Sequence, residues 1–269
     1  MLPAKALAAF RADRHLMLLI DRRALQPEDV TSARMVVESV VHLPGGVANA
    51  YLLRGEKLNS TQKNLSIGDR ARYVRLMDRC YVPDAPDPTV VSALFDLIAD
   101  FYDELIHDIT NLDTARTLLS AVLETELPSP RILDFGCGTG LASKALSDLG
   151  LNADIIGTDI STEMLRHAAK RGETVLTIEE WRTDRSTYDG VIACFVLHYG
   201  VPDLDLVRIA ASLAPGGRLA ANFFKAGESD ILRLVDLMSD AGLRLIRHTS
   251  TTSTSTSENP VLVFERPLC

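Results

Sequence analysis

The chain has 269 residues, enough for one α/β domain and a smaller appendage. With 28 Lys+Arg against 36 Asp+Glu its formal net charge is −8, which disfavours a polyanionic partner, so nucleic acid is not expected as a substrate. The four cysteines (Cys80, Cys137, Cys194, Cys269) form no CxxC pair, so neither a zinc site nor a disulfide framework is expected, and a reducing cytoplasm fits.

Residues 1–90 read as a mainly helical N-terminal region. Apolar positions from Pro3 to Ile20 fall at helical spacing. The run His15 to Ile20 is too short to span a membrane and lacks signal-peptide flanks, so no membrane partner is expected. Pro27-Glu-Asp-Val30 looks like a helix start, with acids in the first turn, continuing through Val37 and Val41 until Pro44-Gly45-Gly46 stops it. Val47 to Leu58 fits a helix or a strand, with helix the reading taken. Arg70 to Tyr81 is basic and helical in pattern, and Pro83, Pro86 and Pro88 form a rigid linker. Two roles stay open for this region: a dimerisation or stabilising element, giving a homodimer, or a cap over a substrate. From residue 91 onward the chain reads as one further domain. Val91 to Ile109 and Asn111 to Leu127 are helices leading into a first buried strand, Arg131 to Phe135.

That strand runs into Gly136-Cys-Gly-Thr-Gly140 and a helix from Leu141 to Leu149. Alternating glycines let the backbone turn sharply and approach a ligand closely, and the helix N-terminus then points free N–H groups at it. The pyrophosphate fingerprint is G-x-G-x-x-G, whereas this loop is G-x-G-x-G with Asp134 just ahead of it. A carboxylate there repels phosphate and suits a cation. A second strand, Ala153 to Ile160, carries Asp159 where an acidic residue meets ribose hydroxyls in such folds. A nucleoside with a cationic tail and no phosphate is S-adenosylmethionine (SAM).

On Leu133-Asp-Phe-Gly-Cys-Gly-Thr-Gly140 and Gly157-Thr-Asp-Ile-Ser-Thr-Glu-Met164, the chain resembles the class I SAM-dependent methyltransferases over residues 95 to 266. The resemblance implies an α/β fold: a seven-stranded, mostly parallel Rossmann-like sheet with an antiparallel last strand. It implies SAM as cofactor and S-adenosylhomocysteine (SAH) as product, with Asp134, Gly136, Cys137, Gly138, Asp159 and Ile160 at the cofactor. Phe95 to Asp103 is similar to a segment whose second aromatic lies over the cofactor's methionine end. Tyr102 takes that position, or is core. Ser161 is the expected cap of the next helix, with Met164 near the adenine or in the core. After the third strand, Glu173 to Thr177, the family places an acid and an apolar residue. Here the pair is Thr177-Ile178, so the acid is missing and Ile178 is the adenine contact, with Trp181 as a wall.

Tyr188 to His198 resembles the family's fourth strand and exit, putting Cys194 and Phe195 on the ligand side. The Asn/Asp-Pro-Pro-aromatic motif of nucleic-acid amino-methyltransferases is absent there. Leu213-Ala-Pro-Gly-Gly-Arg-Leu219 matches the turn into strand five. A helix follows from Ser229, and a strand pair (Leu243 to Thr249, Val261 to Arg266) flanks a Ser/Thr-rich loop. Methyl transfer mainly requires alignment, plus a base where the acceptor is a hydroxyl or amine. His198 is the candidate, either as base or as a positioning group that binds substrate, with Tyr199 beside it. No carboxylate cluster suits a metal, so none is expected. The reading is a methyltransferase acting on an O or N, less readily a C, of a small molecule of specialised metabolism. The alternative is a SAM-binding protein of this fold with a non-methylating or regulatory role.

Overall fold

A computed structural model describes residues 4–55, 64–67, 71–84, 87–106, 108–124, 129–223, 227–251 and 259–268. The chain divides into two compact units, Met1–Ile106 and His107–Cys269. The first is built on a sheet, which corrects the helical reading of residues 1–90. Helix α1 (Ala4–Ala12) precedes β1 (Leu16–Asp21), α2 (Pro27–Ser32), β2 (Met35–His42), β3 (Asn49–Gly55), β4 (Asn64–Ile67), β5 (Ala71–Met77) and β6 (Cys80–Pro83). Helices α3 (Pro88–Ile98) and α4 (Tyr102–Leu105) close the unit, so residue 90 lies inside α3. Pro88 is the first residue of α3, capped by Asp87 through the Thr89 N–H. Pro86 and the stretch 56–58 of the expected helix 47–58 lie outside the described residues.

The strand order is β2-β3-β1-β6-β5-β4, antiparallel except for the β1/β6 pair. Two bulges explain why these strands imitate helices in sequence. The β2/β3 register slips between Val37 and Ser39, so Glu38 is an extra residue. The valines at 36, 37, 40 and 41 therefore fall at helix-like spacing although the backbone is extended. Leu76 is the same kind of insertion in β5. One polar network crosses this sheet: the Tyr73 hydroxyl donates to Asp21 Oδ2 at 2.6 Å, and the Arg23 backbone N–H donates to Asp21 Oδ1 at 3.0 Å. Asp21 is 2% exposed, so its carboxylate depends on these donors.

The second unit follows the sequence closely. After α5 (Asp108–Val122) come β7 (Arg131–Phe135), α6 (Leu141–Asp148), β8 (Asp154–Asp159), α7 (Thr162–Lys170), β9 (Thr174–Thr177), α8 (Ile178–Thr183) and β10 (Tyr188–Ala193). Then follow α9 (Asp203–Ser212), β11 (Leu213–Asn222), α10 (Glu228–Asp240), β12 (Arg244–Thr251) and β13 (Asn259–Glu265). The sheet order is β12-β13-β11-β10-β7-β8-β9. Pairs among β7 to β11 are parallel, and only β13 runs against its neighbours. This is the expected mostly parallel sheet with an antiparallel last strand.

Alternate residues serve opposite faces. Leu133, Ile156 and Val191 join Trp181, Tyr188, Leu219 and Phe264 in one core, while Ile132, Ile155 and Ile192 join Leu118, Val122 and Ala145 in the other. Burial on both faces is why these strands read as continuous apolar runs. Strand order reverses at β7, between β8 and β10, which places a crevice at the carboxyl ends of these three strands. Among the described residues, no helix is long and apolar enough to cross a membrane.

In the first unit, Tyr73→Phe removes a donor from the buried Asp21. It should cost about 1–3 kcal/mol of stability, read as a lower midpoint in urea denaturation of the full chain.

Candidate functional site

The crevice is assembled from three strand ends. From β7, the loop Gly136 to Gly140 turns through left-handed backbone at every glycine: φ is 73° at Gly136, 54° at Gly138 and 83° at Gly140. Two of the missing side chains leave no room. A β-carbon on Gly136 would lie 2.4 Å from Val196 Cγ2, and one on Gly140 would lie 2.8 Å from the Ala168 Cα. At Gly138 no atom comes within 4 Å of that position, so here the loop faces open space. That is where a ligand can meet bare backbone.

From β8, the Thr158 carbonyl accepts the N–H groups of Gly136 and Cys137 at 2.8 and 3.0 Å. Asp159 Oδ2 accepts the Gly138 N–H at 2.9 Å, and Oδ1 accepts the Ser161 N–H at 2.9 Å. Asp159 thus ties the loop to the start of α7 through both carboxylate oxygens. Ile160, next to it, is 37% exposed. Ser161 caps α7 as the sequence indicates, its Oγ accepting the Met164 N–H at 3.1 Å.

From β10, the chain leaves through Cys194 and Phe195 into a turn, Leu197–Tyr199. Phe195 has φ 52°, a left-handed conformation that is strained for a side chain of this size. Its N–H donates to Asn222 Oδ1 at 2.7 Å, and Asn222 is fully buried at the end of β11. Cys194 Sγ lies 4.0 Å from the Asn111 carbonyl. The rings of His198 and Tyr199 are 4.0 Å apart at 45°. His198 is half-buried, and desolvation pushes its imidazole down to about 4, so it is neutral at pH 7. The loop, Asp159 and the β10 exit therefore converge, as the sequence suggested.

The remaining expected residues are packed as follows. Met164 and Trp181 are each 1% exposed. Trp181 packs edge-on against Phe135 with ring centroids 5.1 Å apart, under the Arg208 guanidinium. Ile178, 8% exposed, is the first residue of α8. Glu180 closes a capping box: its Oε2 accepts the Thr177 N–H at 2.8 Å and the Thr177 hydroxyl at 2.9 Å. Glu180 is thereby committed to the start of α8. Tyr102 belongs to the first unit, edge-on to Phe95 with centroids 6.0 Å apart.

Asp134 is 3% exposed at the Gly157 register position. Desolvation first, then the neighbouring Glu173 and Asp159, push its carboxyl well above the usual range. Burial likewise raises the thiols of Cys137 and Cys194, so neither is a ready nucleophile. Among the described residues no group of three or more His, Cys, Asp or Glu side chains is placed to hold a metal. Sequence reasoning missed Val196, Glu173 and Asn222. The one available signal was a lone Asn closing the apolar strand Leu219-Ala-Ala-Asn222.

A glycine loop at the end of one parallel strand, closed by a carboxylate from the next, is the arrangement at which Rossmann-like sheets take nucleoside-type cofactors. Residues 132–217 match the family described as Methyltransferase domain. Malonyl-(acyl-carrier protein) O-methyltransferase of Alcanivorax borkumensis is 32% identical over 137 residues, 48% of this chain and 46% of that protein. Trans-aconitate 2-methyltransferase of Pseudomonas paraeruginosa is 32% identical over 134 residues, 47% and 48% respectively. The chain spans about half the length of the curated relatives it matches. Magnesium protoporphyrin IX methyltransferase of Synechocystis, solved with bound SAM, shares the fold with a TM-score of 0.53 at 21% identity. That likeness covers 68% of this chain and 97% of the other.

The loop geometry separates two glycines. Alanine in a left-handed position costs about 1–2 kcal/mol; Gly136→Ala adds overlap with Val196, about 1–3 kcal/mol more. Thermal melts should therefore show Gly136→Ala well below Gly138→Ala, with Gly138→Ala still folded.

Proposed function

We propose that this chain binds SAM and transfers its methyl group to an oxygen or nitrogen of a small cytoplasmic acceptor, a molecule of specialised metabolism. The observation that carries the reading is the open face of Gly138, whose N–H is held by the Asp159 carboxylate. A pyrophosphate would meet carboxylates there, whereas a sulfonium nucleoside meets favourable charge. Asp159 is the acid we assign to the ribose hydroxyls, and Asp134 is buried behind the loop.

When bound, SAM supplies a methyl carbon already attached to a good leaving group. The chain's task is alignment. The left-handed glycines fix the loop, Asp159 fixes the ribose side, and the strained exit at Phe195, held by Asn222, presents His198 and Tyr199. A histidine of pKa about 4 is a weak proton acceptor. Taking a proton from a group of pKa near 10 would be uphill by roughly 8 kcal/mol, at about 1.4 kcal/mol per unit. His198 thus serves an acceptor that is acidic or already ionised, and acts on others as a neutral hydrogen-bond partner.

Calorimetric titration of the full chain tests the cofactor. SAM and SAH should bind and NADH should not; binding of NADH alone would overturn the reading. Asp159→Ala should weaken SAM about 10- to 100-fold, the worth of charge-assisted hydrogen bonds of about 1.5–3 kcal/mol. Once an acceptor is found, kcat/KM should show no inflection between pH 6 and 7 from His198. An inflection there that His198→Asn abolishes would make it a base of ordinary strength. Because the folded pKa lies below the ordinary 6.5, His198 favours folding above pH 6.5, and that contribution fades as pH falls toward 4. His198→Asn should accordingly lose less melting temperature than the wild type over that range.

A further inference from the structure

Glu173, just before β9, is 5% exposed and lies directly behind the glycine loop. Its Oε1 accepts the Ser143 N–H and the Ser143 hydroxyl, each at 3.3 Å. Ser143 is the third residue of α6, and the N-cap of that helix is Gly140, which has no side chain to cap with. A helix start leaves N–H groups that need an acceptor and a positive end that favours an anion. Glu173 supplies from another strand what the glycine loop cannot supply itself.

The other oxygen, Oε2, has no hydrogen-bond partner. It fills the room left by Gly157: a β-carbon there would lie 2.5 Å from Oε2 and 2.9 Å from Cys137 Sγ. Gly157 pairs in register with Asp134. The groups facing Glu173 are Ser143 of α6, Asp134 of β7, Cys137 of the loop and Arg171 after α7, while Asp159 at the end of β8 acts on Asp134 and Cys137. Burial raises the Glu173 carboxyl to about 7, with Ser143 and Arg171 opposing the shift. Its protonation state is therefore sensitive to any cation that arrives in front of the loop.

We propose that Glu173 is a specificity-determining residue of the cofactor site, a carboxylate behind the glycine loop that favours the sulfonium cation over the neutral thioether left after transfer. This rests on the SAM reading of the loop. SAM and SAH share every other charge, so a fixed anion here separates cofactor from product without touching either. By linkage, SAM binding expels a proton from the site and SAH binding does not.

The test is calorimetric titration of the full chain with SAM and with SAH at pH 6, 7 and 8, in buffers of different ionisation enthalpy. In the wild type the SAM Kd should fall relative to the SAH Kd by up to about tenfold from pH 6 to 8, as a single group titrating near 7 allows. A fraction of a proton should be released per SAM at pH 7. Glu173→Gln keeps an acceptor for Ser143 and removes the charge, so it should flatten the pH dependence and bring the SAM and SAH affinities together. A wild-type affinity ratio that ignores pH, or no proton release, overturns the proposal even if the variant fails to fold. So does a Glu173→Gln protein with the wild-type profile, which would move the titration to Asp134. A chain that binds neither ligand at any pH overturns the SAM reading instead.

Discussion

The site depends on one constraint: a loop with glycine at every second position, Gly136, Gly138 and Gly140, must be held largely by its neighbours. Its glycines occupy left-handed backbone that most residues avoid. The neighbouring strand does the holding. The Thr158 carbonyl takes two of the loop's N–H groups and the Asp159 carboxylate takes a third. With the loop fixed to β8, Gly136 can pack on Val196 of the β10 exit and Gly140 on α7. Three strand ends are thereby locked into one crevice, and the direction of α6 follows from it.

The electrostatics of this crevice run against the preference of a protein interior. Asp134 and Glu173 are both nearly dry, with Asp159 beside them. Like charges gathered at low dielectric raise one another's pKa and weaken the fold, an arrangement that concentrates at functional sites. The opposite holds at the β10 exit, where His198 is kept uncharged. The two sides of the crevice therefore differ in charge, carboxylates gathered behind the loop and an uncharged imidazole at the β10 exit.

The second unit was legible in the sequence because its local signals agree. Buried parallel strands give unbroken apolar runs, the loop gives alternating glycines, and Ser161 and Pro202-Asp203 mark helix starts where the structure has them. The first unit was not, because Glu38 and Leu76 each shift the two-residue repeat and turn extended segments into apparent helices. Within the site, Asp159 and the glycines were visible since their roles follow from position along the chain. Glu173 and Asn222 were not. Their roles come from space left by Gly157 and from a backbone N–H turned inward at Phe195, and both are known only once strands are paired. Trp181 shows the converse: a conspicuous residue whose ring is 1% exposed and committed to the core.

The bulge in β2 also bears on how the molecule behaves in a crowded solution. β2 ends its sheet, and Val36, Val37 and Val40 are 60%, 41% and 42% exposed. A flat strand of that composition would be a template onto which further chains add edge to edge. The extra residue at Glu38 interrupts the spacing of outward N–H and C=O groups, leaving only short stretches on either side for an incoming strand. Glu38 also carries a charge, paired to Arg54 at 2.7 Å, at the point of interruption. The irregularity that disguised this strand in the sequence therefore also guards the sheet against fibre-like growth.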